Sequence, residues 1–316
     1  MVKQRLSDSK GGLQLKTADC NQKSCGLQPK PGKSARTDVR RRAVGCRLLA
    51  APAIRQHTAP VLTCSLQSGS NGNCTYVEAG GVRLLFDAGI SGRQAQQRLA
   101  SNGRDIRGVH GLILSHSHSD HTRAAGIYQR LFHLPIYAAP GTQRMLAACA
   151  GPLYDVRSFE PGDTLTFGPV RVHTLPTPHD APDSIAFVIE YAHRRLGLLT
   201  DLGHPFDGLA NALSELDAVY LESNYDPHLL ATGSYPAWLQ ARIAGPGGHL
   251  SNAEAAELLR ACGRGRLQWA ALAHLSEQNN EPELALETHR AILGPDFPLL
   301  VANRYRASQL LHVHAV

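Results

Sequence analysis

His116-Ser117-His118-Ser119-Asp120-His121 is the stretch on which the reading of this chain turns. Three imidazoles and one carboxylate fall within six residues. The apolar run Val109 to Leu114 precedes them and reads as a buried strand. Neutral imidazoles and carboxylates are the donors that borderline cations such as Zn²⁺ accept. On an extended segment, residues i and i+2 point the same way. His116 and His118 can therefore grip one ion. Asp120 and His121 follow at the turn into a helix and can face a second. Two divalent ions held side by side would polarise a scissile bond and supply a hydroxide at neutral pH. The competing account is a solvated polar loop. So many donors directly after a buried strand speak against it.

One cluster does not complete a site, and three residues elsewhere share its local logic. His179 follows Leu175-Pro176-Thr177-Pro178, Asp201 follows Leu196-Gly197-Leu198-Leu199-Thr200, and His274 follows the run Trp269 to Ala273. In each case an apolar strand runs out and presents a ligand at a sheet edge. Singly, each reads equally well as a surface residue. Beside the histidine cluster they become its expected completion.

The surrounding pattern is that of a large α/β domain with strands in runs. Val61 to Leu66 reads as a strand, and Ser68-Gly69-Ser70-Asn71-Gly72-Asn73 as a turn-rich loop. Thr75 to Ala79 and Val82 to Phe86 form a hairpin closed by Gly80-Gly81, which ends at Asp87-Ala88-Gly89. Further strands are expected at Ile136–Ala138, Val170–Leu175, Ile185–Tyr191, Arg195–Thr200, Ala218–Leu221, Trp269–Ala273 and Leu299–Ala302. Helices are expected near 91–101, 122–132, 142–149, 207–214, 236–243, 252–262 and 281–293. Helices between and after runs of strands predict an α/β (α+β) protein built as a two-sheet sandwich with helices outside.

Charge divides the chain. Residues 1–57 hold thirteen Lys/Arg against three acids, whereas the rest holds nineteen Arg against twenty-three acids. All six lysines lie at or before Lys33. The expected division is a basic, disordered extension over 1–57 and a mildly acidic domain over 58–316. Two accounts of the extension compete. One is a nucleic-acid-binding arm that uses Arg40-Arg41-Arg42. The other, favoured by the abrupt loss of lysine, is a dispensable extension translated from upstream of the true start. The seven cysteines are scattered, and Cys20 and Cys25 alone make no zinc site. No apolar run approaches the ~18 residues of a membrane span. Ala43 to Ile54 is interrupted by Arg47 and does not read as a signal peptide. A cytoplasmic protein without membrane contact is expected.

The order Asp87, His116-x-His118-x-Asp120-His121, His179, Asp201, His274 resembles the five-motif pattern of the metallo-β-lactamase superfamily, over about residues 61–316. The resemblance implies an αββα four-layer sandwich with a dinuclear site at one edge. It implies that His116, His118 and His179 hold one metal. Asp120, His121 and His274 hold the other, with Asp201 and a water between them. It gives Asp87 the task of orienting the histidine loop, and Asp120 that of taking a proton from the nucleophile.

Four segments narrow the resemblance: Ser68 to Cys74, His179-Asp180-Ala181, Val219 to Asp226, and Gly248-His249-Leu250-Ser251-Asn252-Ala253-Glu254-Ala255. With His274-Leu275-Ser276-Glu277-Gln278-Asn279-Asn280 they are similar to the YycJ/WalJ family, bacterial proteins regarded as 5′→3′ exonucleases on DNA. The cofactors so implied are two divalent metal ions, Zn or Mn, and the partner is nucleic acid, namely DNA ends. The same segments also resemble ribonuclease Z, where a Glu and a His at the positions of Glu222 and His249 cooperate in proton transfer to the leaving oxygen. A carboxylate that orients an imidazole fixes its tautomer, as a general acid needs. The plainer accounts are a polar strand end for Glu222 and, for His249, a neighbour of a helix cap at Ser251.

Some features depart from the pattern. Ser117 replaces a more usual acid, and the acidic domain does not favour duplex binding by charge. Arg93, Arg98, Arg104 and Arg107, or Arg264 and Arg266, are local basic clusters, most of them expected on solvated faces. No long insertion marks a capping domain, and no tRNA-gripping arm is visible. His204 is a possible pocket residue. His110, His133, His173, His193, His289, His312 and His314 are expected to be packed or exposed. The leading expectation is a two-metal phosphodiesterase acting on DNA ends, with catalytic Asp120, Glu222 and His249. The alternatives are a small-molecule ester, thioester or lactone hydrolase, RNA processing of the ribonuclease Z type, and a non-catalytic nucleic-acid binder.

Overall fold

A computed structural model describes residues 59–206, 208–263 and 265–315. The expectations placed on residues 1–57, on Cys20 and Cys25, and on Arg264 lie outside these residues. The first strands are β1 Val61–Gln67, β2 Cys74–Ala79, β3 Val82–Phe86, β4 Gly111–Ile113, β5 Ile136–Ala138 and β6 Val156–Ser158. There follow β7 Thr164–Phe167, β8 Val170–Pro176, β9 Ile185–Tyr191, β10 Arg194–Leu199, β11 Ala218–Glu222, β12 Trp269–Ala273, β13 Leu299–Val301 and β14 Leu311–Val313. The helices are α1 Gly92–Ala100, α2 Ser119–Thr122, α3 Ala125–Phe132, α4 Pro140–Cys149 and α5 Leu209–Ser214. They continue with α6 Pro227–Thr232, α7 Ala237–Ile243, α8 Asn252–Cys262 and α9 Pro282–Leu293.

Strands β11 and β12 are buried at every position. A strand buried on both faces must be covered twice, and four layers do this. One sheet runs β14-β1-β2-β3-β4-β5-β6 and the other β13-β12-β11-β10-β9-β8-β7. Their inner faces meet in a core that joins Val77, Leu84 and Phe86 to Phe187, Leu198 and Tyr220. Leu85, Leu112 and Ile136 face the other way, onto Ala95, Leu99 and Tyr128 of α1 and α3. Val188, Val219 and Leu221 do the same toward Leu209, Leu213, Ala255 and Leu259 of α5 and α8. The αββα sandwich is the observed architecture.

Each sheet is antiparallel in one half and parallel in the other. β1, β2 and β3 pair antiparallel, while β3 to β6 run parallel. β7 to β10 pair antiparallel, while β10 to β13 run parallel. Ligands in α/β folds bind beyond the carboxyl ends of parallel strands, where loops converge. Asp87 follows β3, His116 follows β4, Asp201 follows β10, Glu222 ends β11 and His274 follows β12. The topology therefore gathers these five at one end of the sandwich.

The structure departs from the expected elements in four places. β6, β7 and β14 were not foreseen, because they are short edge strands with few apolar positions buried. α6 is a further unforeseen helix, started by Asp226, whose carboxylate accepts from His228 N and Leu229 N. The single helix expected over 122–132 is two, α2 and α3, broken at Arg123 and Ala124. There Ala124 N donates to Ala88 O at 2.9 Å instead of continuing one helix. The strand expected from Val109 is ordered only over Gly111–Ile113, after a 3₁₀ turn at Ile106–Gly108.

Candidate metal centre

The histidine loop is fastened by backbone before any side chain acts. Asn73 N donates to Asp120 O at 2.7 Å, Ala88 N to His121 O at 2.7 Å, and Gly89 N to Asn73 O at 2.8 Å. Three loops are thus sewn edge to edge. Gly89 is required by this approach: a Cβ there would lie 1.6 Å from Asp120 O. Asp87 accepts from Ser115 N at 2.8 Å, from Ser115 Oγ, and from His121 Nδ1 at 2.7 Å. His118 stands at the N-cap position of α2, which carries Asp120 and His121.

Tautomers follow from these partners. His121 Nδ1–H faces Asp87, so its Nε2 lone pair faces Asp120 Oδ2 at 3.4 Å and Asp201 Oδ2 at 3.3 Å. His179 Nδ1–H donates to Gly248 O at 2.9 Å, which leaves Nε2 toward His118 Nδ1 at 3.2 Å. His118 Nε2 lies 3.4 Å from Asp180 Oδ1, so its Nδ1 is the free acceptor. His274 Nε2 lies 3.4 Å from Asp120 Oδ2, with Nδ1 on Glu222 Oε1 at 3.2 Å. Lone pairs therefore converge on lone pairs and carboxylates.

The donor chemistry fits divalent cations. His116 Nε2 and Asp201 Oδ2 are buried without a hydrogen-bond partner, a costly state unless a ligand completes them. Donor atoms of His116, His118 and His179 lie within 4.8 Å of one another. So do those of Asp120, His121 and His274, and those of His116, His121 and Asp201, which link the two groups. Burial opposes charge on His121, yet Asp201, Asp87 and Asp120 outweigh it and raise its proton affinity well above the usual histidine value. His274 is raised to about 10 against burial by Asp201, Asp120 and Glu222. Burial likewise opposes ionised Asp120 and Asp201, but the surrounding histidines hold both carboxyls well below the usual range. The field at these rings calls for positive charge, which a cation supplies to neutral imidazoles. His116 behaves oppositely: burial and its histidine neighbours keep it neutral, as a ligand must be.

Strain marks the same residues. Asp87, Asp201 and His274 adopt left-handed backbone, with φ of 63°, 57° and 55°. Such conformations cost on the order of 1 kcal/mol or more for a non-glycine residue and concentrate at functional sites.

Glu222 and His249 are adjacent to this centre. Glu222 is fully buried and accepts from His249 Nδ1 at 2.8 Å and His274 Nδ1 at 3.2 Å. Asp201 N, Leu202 N and Leu250 N complete its shell. Burial would raise this carboxyl, but His249 and His274 hold it at about 2. Glu222 is also within ligand distance of Asp201, His249 and His274. Five donors already engage its two oxygens, so it orients rings and is not available to a metal. His249 N donates to Ile243 O at 2.9 Å, and the side chain lies on the wall of a pocket of about 270 Å³. Ser70, Ser119, Asp120, Arg242 and His274 line the same pocket.

The structure brings all nine residues singled out by the sequence reading into one neighbourhood. It also adds supports that the reading missed. Asn73 Nδ2 reaches Asp120 Oδ2 at 3.2 Å and His121 Nε2 at 2.9 Å. Asp180 bridges His118 and Arg242, the latter at 2.6 Å. Arg304 joins Asn71 Oδ1 to the carbonyl of Leu275, and so ties the Ser70 loop to the loop after His274. Asn73 lies in the Ser68–Cys74 motif and Asp180 in His179-Asp180-Ala181, a usable signal; Arg242 and Arg304 carried none. His204 donates to Pro246 O at 2.6 Å and is not on the pocket wall. Arg98 and Arg104 are taken up by intramolecular partners, Tyr305 O and Glu78, and Arg266 by Asp217. Among the described residues no helix is long and apolar enough to cross a membrane.

The sequence pattern of the metallo-beta-lactamase superfamily matches residues 68–265. This chain belongs to that superfamily. Exodeoxyribonuclease YycJ of Bacillus anthracis is 34% identical over 222 residues, covering 70% of this chain and 84% of the relative. Exodeoxyribonuclease WalJ of Streptococcus pneumoniae is 34% identical over 225 residues, covering 70% and 83%. Within the metallo-beta-lactamase superfamily the chain thus falls in the YycJ/WalJ family and is a hydrolase. Ribonuclease Z of Mycolicibacterium paratuberculosis is 31% identical over 150 residues, covering 38% and 52%. The metallo-beta-lactamase fold protein YhfI from Bacillus subtilis superposes with a TM-score of 0.60 at 17% identity, covering 79% of this chain and 99% of that one. That likeness bears on the fold. Superfamily members bind divalent metals, and the donor groups described above are the candidate sites here.

Proposed function

We propose that this chain is a two-metal phosphodiesterase that removes nucleotides from DNA ends in the 5′→3′ direction. The observation that carries the reading is the Glu222–His249 pair at 2.8 Å, set on the pocket wall beside a full set of metal donors. The names of the relatives at 34% identity supply DNA and exonuclease action. His116, His118 and His179 would hold one ion, and Asp120, His121 and His274 the other, with Asp201 shared. Zn²⁺ suits the imidazoles and Mn²⁺ the carboxylates. When bound, two such ions supply Lewis acidity that polarises the phosphate ester and activates a water.

The rest falls to the chain's own side chains. Asn73, His121 and His274 engage Asp120 Oδ2. Its Oδ1, without a hydrogen-bond partner among the described residues, takes the proton of the attacking water. Glu222 fixes the His249 ring through Nδ1, so a proton held at Nε2 can pass to the departing oxygen as the bond from phosphorus breaks. Asp87 and Asp180 hold His121 and His118 in the tautomers that leave their metal-facing nitrogens free. The catalytic unit is residues 58–316, with 1–57 as an extension to it. Cys64, Cys74, Cys149 and Cys262 are free thiols, which fits a cytoplasmic enzyme.

The test is release of nucleotides from end-labelled duplex DNA by protein loaded with Zn²⁺ or Mn²⁺, beside an Asp120→Ala control. Metal-dependent release that the control lacks is expected. Hydrolysis of thioesters or lactones with no release from DNA would remove the reading.

A further inference from the structure

Helix α7 has no buried residue, yet its Arg242 lines the pocket. Its last turn is fastened to the centre, since His249 N donates to Ile243 O at 2.9 Å. Its start is fastened by Gln240 Nε2, which donates to Tyr235 O at 2.9 Å. Two of its side chains present groups that no neighbour among the described residues engages. Arg242 lines the pocket and is held through Nε by Asp180 at 2.6 Å. Among the described residues neither of its terminal nitrogens has a hydrogen-bond partner, although a guanidinium fork suits a phosphate. Trp238 is 68% exposed and has no ring or cation partner among the described residues. It precedes Arg242 by four residues, so both lie on one face of the helix, about one turn or 6 Å apart.

We propose that this face is the substrate-strand shelf: Arg242 binds a phosphate flanking the scissile one, and Trp238 stacks on the base of an adjacent nucleotide. The inference rests on the nucleic-acid reading above and sharpens it. A base on Trp238 has left its own stack, so the enzyme takes an unpaired stretch of strand rather than a closed duplex. Among the described residues Arg242 is the one arginine on a pocket wall that carries Asp120 and Asp201. Asp180 couples it to His118, so a seated phosphate is registered against the centre.

Trp238 and Trp269 are the two tryptophans of the chain, and Trp269 is buried. Both rings emit, but only Trp238 is open to an added strand, so a quench on binding reports on Trp238. The probe is a phosphorothioate-linked oligothymidylate, titrated into metal-loaded, full-length protein. Quenching on binding is expected, and Trp238→Phe should abolish the quench while binding, followed with a labelled probe, stays within about threefold. Trp238→Ala should weaken binding roughly 5- to 150-fold, the usual worth of one stacked base. Arg242→Ala should weaken it about tenfold or more and lower the salt slope by about one. A blunt duplex of equal length should bind more weakly than the single strand. A quench that survives in Trp238→Phe, or unchanged binding by Trp238→Ala or Arg242→Ala, overturns the shelf. Nucleotide release that persists alongside that result leaves the phosphodiesterase reading standing. Strand binding through Trp238 with no hydrolysis under any metal does the reverse.

Discussion

Glu222 and His249 are 27 residues apart, and their contact at 2.8 Å is made through a buried carboxylate. A general acid is needed only when the leaving oxygen is a poor leaving group. His249→Ala should therefore lower kcat on DNA by about 10²- to 10⁴-fold. It should lose far less on a nucleotide p-nitrophenyl ester, whose phenolate departs without a proton. Equal losses on both substrates would assign His249 to binding or to support of the centre. At the same scale, the left-handed backbone of Asp87, Asp201 and His274 shows how tightly the loops are determined. Asp and His are among the residues that tolerate this region, so Asp201 and His274 combine a candidate ligand's chemistry, and Asp87 that of its support, with the conformation a strand end imposes.

At the level of elements, α8 and α9 cover the second sheet, and α9 carries a buried titratable group outside the centre. His289 is fully buried, its Nδ1 donates to Ala285 O at 2.8 Å, and its Nε2 has no partner. Burial pushes it down to about 4, against the ordinary histidine value of 6.5. The folded state thus binds this proton less well than the unfolded chain. The penalty is absent above about pH 6.5, grows as pH falls, and is complete below about pH 4. Between pH 7 and 5 it amounts to about 2 kcal/mol. Denaturant midpoints of the wild type and His289→Leu should diverge by that amount on acidification, with the variant losing less. Parallel curves would show that His289 does not contribute. The loop between β1 and β2 plays another part: Asn73 and Ser70 reach the centre from it, while Arg304 fastens it at Asn71.

For the whole molecule, the centre joins the two sheets where their parallel halves end. Asp120 and His121 come from the first sheet's loops, and His179, Asp201 and His274 from the second's. Cations held between them would bind the folded state alone. At a hundredfold excess over Kd this adds about 2.7 kcal/mol, or roughly 5–10 °C in Tm for a domain of this size. Chelation followed by calorimetry should show that fall, and re-addition of Zn²⁺ or Mn²⁺ should restore it. A Tm indifferent to chelator would argue against metals spanning the sheets.

Much of this protein was legible in the residues. Among the described residues the apolar runs marked ten of the fourteen strands near their observed bounds, and β4 in its later part, because buried strand positions are apolar in runs or in alternation. The donor types and their positions after those runs named the candidate ligands, since metal chemistry restricts which side chains can serve. The short edge strands β6, β7 and β14 were not legible, because their pairing depends on a neighbour and not on their own pattern. The break between α2 and α3 was hidden for the same reason: Ala88 O, far back in the chain, takes the Ala124 N–H. Arg242, Trp238 and Arg304 had no local signature at all. An exposed arginine means little until the fold sets it on a pocket wall, and an exposed tryptophan little until it shares a helix face with that arginine. Sequence alone determined which atoms can hold a metal. The tertiary structure decided which of them face one another, and which bare helix face stands beside them, because those relations join residues from tens to more than a hundred positions apart.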